Sequence, residues 1–150
     1  MRHNRLRALL NAGEPTVGTH LLSTWPTLVE LIGQAGHYDY VEFTAEYAPF
    51  DLHDLDNLGR ALDLMNLAGM IKVEQTQWTH QAMRAIGSGF QSVLFADVRT
   101  EADARACVAA VILICFKRTP ASRTAVYRAL CVPTTTGKRT SCAAICSANV

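Results

Sequence analysis

Along the first hundred residues the apolar positions switch repeatedly between strand-like runs and a helical spacing of three and four. Residues 4–12 place Leu6, Leu9 and Leu10 on one helical face between arginines, and Gly13 and Pro15 stop the pattern. This predicts a short docking helix. TVGTHLL, residues 16–22, is β-prone; Ser23, Thr24 and Pro26 mark a helix start, and TLVELIGQAG carries its apolar residues at helical spacing. The pair recurs as strand 40–43 and helix 52–68, with Leu52, Leu55, Leu58, Leu62 and Met65 on one face and Gly69 as the expected stop. It recurs as strand 70–74 and helix 79–86, ended by Gly87 and Gly89, and again as strand 92–96 and helix 101–111. Four successive βα units predict an α/β fold with a parallel sheet and crossover helices. An open doubly wound sheet and the first half of an eight-fold barrel both satisfy the pattern; a complete barrel takes about 200–250 residues. No Gly-rich phosphate loop follows any strand, so the nucleotide-binding form of the open sheet lacks its signature.

After Val111 the alternation fails. Residues 112–150 show no sustained amphipathic period, contain no Asp or Glu, and hold four of the five cysteines. The chain has 150 residues and 49% hydrophobic content, which suits one domain with one core. Its net charge of +1 conceals a division: residues 1–103 carry all 13 acids against 7 bases, and residues 104–150 carry 7 bases alone. Those bases are scattered among Thr, Ser, Ala and Cys without aromatic partners or a helical stripe, so neither nucleic acid nor an anionic membrane is an expected partner. ACVAAVILICF, residues 106–116, falls short of the roughly 20 apolar residues a membrane helix needs. MRHNRLRALLNAGEP has no long apolar stretch of the secretory kind, so a cytoplasmic, reduced protein is expected and the cysteines read as thiols. Cys142 and Cys146 form a CxxxC with Cys131 upstream, but without a second pair or a nearby histidine they do not make a zinc site.

The candidate chemistry gathers where strands end. Glu42 and Glu46 flank the end of the second strand, where a carboxylate can hold a water or orient a base, or simply hydrate the strand end. Tyr47 offers a hydroxyl that stays protonated near neutrality, a tyrosine's reference pKa being about 10, or an aromatic ring packed beside Pro49 and Phe50. Lys72 interrupts the apolar strand MIKV. A buried lysine is costly without an anion, so either a carboxylate substrate or Glu46 or Glu74 must pair with it; Schiff-base chemistry is a further use. His20 on the first strand either points into the mouth of a site or is a satisfied core histidine. Asp97 lies at the same rim, or caps the helix that follows. Asp51, Asp54 and Asp56 read as an acid-rich helix start, and His53 lacks the i, i+4 spacing of a helical metal pair, so no metal ligand is assigned there.

Several stretches, in order, carry a resemblance: Val17–Gly18 opening the first strand, VELIGQAGHYDYVEF at 29–43, AEYAP at 45–49, MIKV at 70–73 and SVLFADVRTEADARACVAAV at 92–111. Together they resemble the N-terminal half of the HpcH/HpaI aldolase family, class II aldolases that cleave 2-keto-3-deoxy sugar acids and related 4-hydroxy-2-oxo acids to pyruvate and an aldehyde. The resemblance implies a partial TIM barrel of about four βα units over residues 1–111 and a small 2-keto acid substrate. It also implies a divalent metal, Mg²⁺ or Mn²⁺, and a site in which Glu46, Tyr47 and Lys72 are catalytic while Lys72 and His20 bind substrate. The departures are specific. Tyr47 stands where the family has its acid/base histidine, and Lys72 where it has an arginine that holds the pyruvate carboxylate. The family's metal-binding glutamate and aspartate come from strands five and six, which this chain does not reach in recognisable form. A truncated pyruvate-releasing lyase is therefore expected, or alternatively a non-catalytic fragment or small-anion-binding module. The acid-free, Cys-containing tail from about residue 112 is what out-of-frame translation of a GC-rich gene can produce, and an irregular conformation is expected for it. A half barrel leaves the edges of strands one and four open, which predicts self-association.

Overall fold

The computed structural model describes residues 3–111 together with the backbone of residues 112–116, 130–133 and 142–147. A short helix, α1 (Arg5–Ala12), precedes the alternation β1 (Gly18–Leu21), α2 (Pro26–Ala35), β2 (Tyr40–Thr44), α3 (Leu52–Leu64), β3 (Ala68–Val73), a 3₁₀ turn (Gln75–Gln77), α4 (Trp78–Ser88), β4 (Ser92–Val98) and α5 (Glu101–Phe116). Strands β1 to β4 are parallel neighbours in sequence order, with Gly18 opposite Tyr40, Tyr40 opposite Ala68, and Met70 opposite Ser92. This is the α/β architecture of four consecutive barrel units.

Strand alternation sends side chains to two faces. Val41, Phe43, Ile71, Val73, Val93 and Phe95 are buried under the helices, packed with Val29, Leu55, Leu58, Leu62, Ala82, Ala85 and Val111. The other face carries Tyr40, Ala68, Met70 and Leu94 at its lower end, and there Leu6 and Leu10 of α1 pack on it. The docking helix expected from the leucine spacing thus seals the end of that face where the strands begin. Its start is fixed by Asn4, whose side chain accepts from the Arg7 amide at 3.0 Å and whose amide nitrogen donates to the Gln91 carbonyl at 3.1 Å. What remains open on this face is its upper end, at the C-termini of β1, β2 and β3, and the residues there are polar.

Element boundaries differ from the sequence expectation in instructive places. Helix α3 starts at a reciprocal capping box, the Asp54 amide donating to Asp51 and the Asp51 amide to Asp54, each at 2.9 Å. It ends at Leu64 rather than residue 68, and Gly69 is a strand residue opposite Val41. The chain turns at Asn66, with φ 53°, a left-handed conformation that asparagine tolerates. Gly69 is needed for closeness instead, because a Cβ there would sit 2.6 Å from Leu62 Cδ1. Gly89 caps α4 with φ 111° as expected, whereas Gly87 lies within the helix.

Helix α5 runs through the expected boundary at residue 111 to Phe116. Beyond it, β5 (Leu130–Pro133) and β6 (Cys142–Ser147) extend the sheet, which reads β1-β2-β3-β4-β6-β5. β6 lies antiparallel along β4, Val93 opposite Cys146 and Leu94 opposite Ile145. This corrects the expectation of two open barrel edges: β4 presents unpaired backbone groups, and an extended segment of the tail satisfies them. Among the described residues, β1 keeps its open side. Residues 117–129, 134–141 and 148–150, most of the tail expected to be irregular and out of frame, lie outside the described residues.

Candidate functional site

β2 ends at Thr44, and the chain then closes a tight turn in which the amides of Tyr47 and Ala48 both donate to the Thr44 carbonyl, at 3.1 and 3.2 Å. Ala45 and Ala48 are buried by this turn, and Glu46 and Tyr47 are swung toward the end of β3. Lys72 sits there, directly opposite Thr44 in the ladder. Its Nζ lies 2.5 Å from Glu46 Oε2 and 4.9 Å from the centre of the Tyr47 ring. Burial alone would lower the lysine's pKa, but the hydrogen bond and charge of Glu46, with Tyr47 and Glu42 adding to them, outweigh it and hold the ammonium above its ordinary value. A lysine held as an ion-paired ammonium is not a Schiff-base nucleophile. Tyr47 itself is 70% exposed, and the ring of Phe50 meets Phe43 edge-on at 5.6 Å.

A second group stands beside this one. His20 on β1 is opposite Glu42 on β2, and His20 Nδ1 lies 3.2 Å from Glu42 Oε1. Thr44 donates its hydroxyl to the same oxygen at 3.4 Å. Glu42 is only 5% exposed, while the His20 side chain is 75% exposed, so His20 is not the core histidine of the bland alternative. Below them Tyr40 has its pKa raised, first by burial and then by the charge of Glu42. Of the three catalytic candidates, Lys72 is therefore brought against both Glu46 and Tyr47, and His20 joins the same face through Glu42.

Asp97 is not the cap of α5. That cap is Thr100, whose hydroxyl accepts from the Asp103 amide at 3.1 Å while the Asp103 carboxylate accepts from the Thr100 amide at 2.9 Å. A further bond from the Arg99 amide, the largest influence, acts with these to hold Asp103 below the ordinary carboxylate range. The TEAD stretch at 100–103 was the available signal. Asp97 instead has φ 57° at an irregularity in the β4 ladder, and its carboxylate is 4.0 Å from Arg99. The aspartates near His53 are likewise accounted for: Asp54 closes the α3 box and Asp56 accepts from Ser88 Oγ at 2.5 Å.

No family model matches the chain, and no curated protein does. Solved structures do. An HpcH/HpaI aldolase/citrate lyase family protein from Burkholderia cenocepacia J2315 superposes with TM-score 0.64 at 26% identity, over 73% of this chain and 43% of its own. The HpcH/HpaI aldolase from Desulfitobacterium hafniense DCB-2 gives TM-score 0.52 at 25% identity, over 59% of this chain and 34% of its own. The N-terminal portion of this chain is thus similar to HpcH/HpaI aldolase/citrate lyase family proteins and shares their fold. The citrate synthase SbnG shares the fold, with TM-score 0.65 at 20% identity over 71% of this chain and 42% of its own. The chain thus matches less than half the length of these relatives. HpcH/HpaI enzymes are generally metal-dependent, but the residues present do not fit a metal: among the described residues, no group of three or more His, Cys, Asp or Glu side chains could hold one. At the upper end of the open face, the β3 end carries Lys72 paired with Glu46, and β1 and β2 bring His20 and Glu42 together beside it.

Proposed function

We propose that the chain binds the carboxylate of a small 2-oxo acid through Lys72 and serves a pyruvate-releasing carbon–carbon lyase reaction on 2-keto-3-deoxy sugar acids or related 4-hydroxy-2-oxo acids. The observation that carries this reading is Lys72 at the C-terminal end of a parallel strand, charged and already paired with the carboxylate of Glu46. A substrate carboxylate that takes Glu46's place keeps the ammonium paired, so the exchange avoids the cost of an uncompensated partly buried charge. Tyr47, exposed beside the ammonium, is positioned to donate its hydroxyl to the same ligand. The proposal includes a cytoplasmic location and self-association through the open side of β1.

The absence of a metal-holding group among the described residues favours a second reading, a small-anion-binding module without turnover. Two measurements on the purified chain separate them. Pyruvate release from a panel of 2-keto-3-deoxy acids, with added Mg²⁺ or Mn²⁺ and with EDTA, reads turnover; thermal stabilisation by pyruvate or oxalate reads binding. Turnover lost in Lys72→Ala supports the lyase. Stabilisation lost in Lys72→Ala without turnover supports the binding module. If neither appears in the parent chain, both readings fall.

A further inference from the structure

Resting on the lyase reading, we infer that His20, oriented by Glu42, is the proton-transfer residue of this site. The two side chains come from adjacent parallel strands at the same ladder position, so the backbone itself sets their approach. Glu42 is buried, and its Oε1, the oxygen that faces His20 Nδ1, also lies 3.4 Å from the Thr44 hydroxyl. A carboxylate 3.2 Å from Nδ1 favours the tautomer in which Nδ1 carries the proton and Nε2 is left as the acceptor. His20 is largely exposed on the open upper end of the face, so Nε2 is reachable by a ligand. The charge of Glu42 is also felt at Lys72, which puts the pair and the carboxylate-binding ammonium within one electrostatic neighbourhood.

A purely structural role fits poorly. A pair with one partner so exposed contributes little to stability, while a carboxylate withdrawn from water in the middle of a sheet needs a stronger reason than one long hydroxyl contact. Tyr47 is placed as a hydroxyl donor beside the Lys72 ammonium, and His20 supplies an acceptor nitrogen on the same face.

The step balances without a further reactant. With the substrate carboxylate on Lys72, the C4 hydroxyl proton passes to His20 Nε2 and the C3–C4 bond breaks. Its electron pair forms the enolate of pyruvate, and C4 becomes the aldehyde carbonyl. The imidazolium then returns the proton to C3. Glu42 touches no reacting atom and is a positioning residue.

The partial reaction gives the test: exchange of the pyruvate methyl protons for solvent deuterium in D₂O, followed by NMR, alongside the ring ¹⁵N spectrum of His20 assigned through His20→Gln. The parent chain is expected to exchange pyruvate above the buffer rate and to show the Nδ1-protonated tautomer. His20→Gln, an exposed change that leaves the fold intact, is expected to slow exchange about a hundredfold, and Glu42→Gln to shift the ring toward the Nε2-protonated tautomer and slow exchange with it. Added imidazole is expected to restore part of the rate in His20→Ala. Exchange unaltered in His20→Gln, or a ring spectrum unaltered in Glu42→Gln of native melting behaviour, overturns the inference. So does a parent chain that binds pyruvate and does not exchange it. A chain that binds no pyruvate overturns the lyase reading instead, and the ring spectrum then decides the pairing by itself.

Discussion

Lys72 was legible as a charge in need of a partner because a charge inside an apolar strand has to be compensated, and the sequence offered few anions close enough to do it. That Glu46 rather than Glu74 compensates it was not legible. The choice follows from the turn closed on the Thr44 carbonyl, a backbone arrangement with no periodic signature. Two predictions belong at this scale. Glu46→Gln leaves the ammonium without its resident carboxylate, so oxalate is expected to bind several-fold more tightly, measured by calorimetry; unchanged or weaker affinity would show that Glu46 does not compete with ligand. Second, because the folded-state pKa of Lys72 lies above the ordinary 10.5, stability from this pairing is complete at neutral pH and is lost as pH rises past that value. Melting temperatures recorded from pH 8 to 12 are expected to fall more steeply for the parent chain than for Lys72→Met, and parallel curves would contradict the assignment.

The elements were readable wherever a period and a stop signal agreed, as in α1, α4 and the α3 start at Asp51. They were misread where a glycine had a second purpose. Gly69 reads as a helix stop but serves the packing of β3 against Leu62, and the turn falls to Asn66. Gly59 is a related case inside α3: a Cβ there would come 1.8 Å from the Ser88 carbonyl oxygen, so it sets how closely α3 and α4 approach. Gly59→Ala is expected to force the helices apart and cost about 1–3 kcal/mol, whereas Asp51→Ala, which removes one half of the α3 cap, is expected to cost about 1 kcal/mol. Urea titrations of both variants test this ordering.

For the molecule as a whole, four repeats of one grammar announced the parallel sheet, and the ordered motifs announced the likeness to HpcH/HpaI aldolases. The pairing of the tail with β4 was hidden because residues after Val111 have no pattern from which a partner strand can be inferred. Among the described residues β1 remains open, and Val17, Leu22 and Trp25 are exposed at its two ends. Self-association is expected to grow with protein concentration in sedimentation velocity and to weaken in Leu22→Lys with Trp25→Lys; a monomer at all concentrations would remove this proposal.

β6 also sets a rate. A barrel can close only when both ends of the four-strand sheet receive parallel neighbours, yet the place beside β4 is taken by a strand running the other way over a register from Ser92 to Val98. A separately supplied second half would have to wait for that strand to leave. Its capture should therefore be unimolecular in its slow step, with a half-time that stops shortening once the added fragment is in excess.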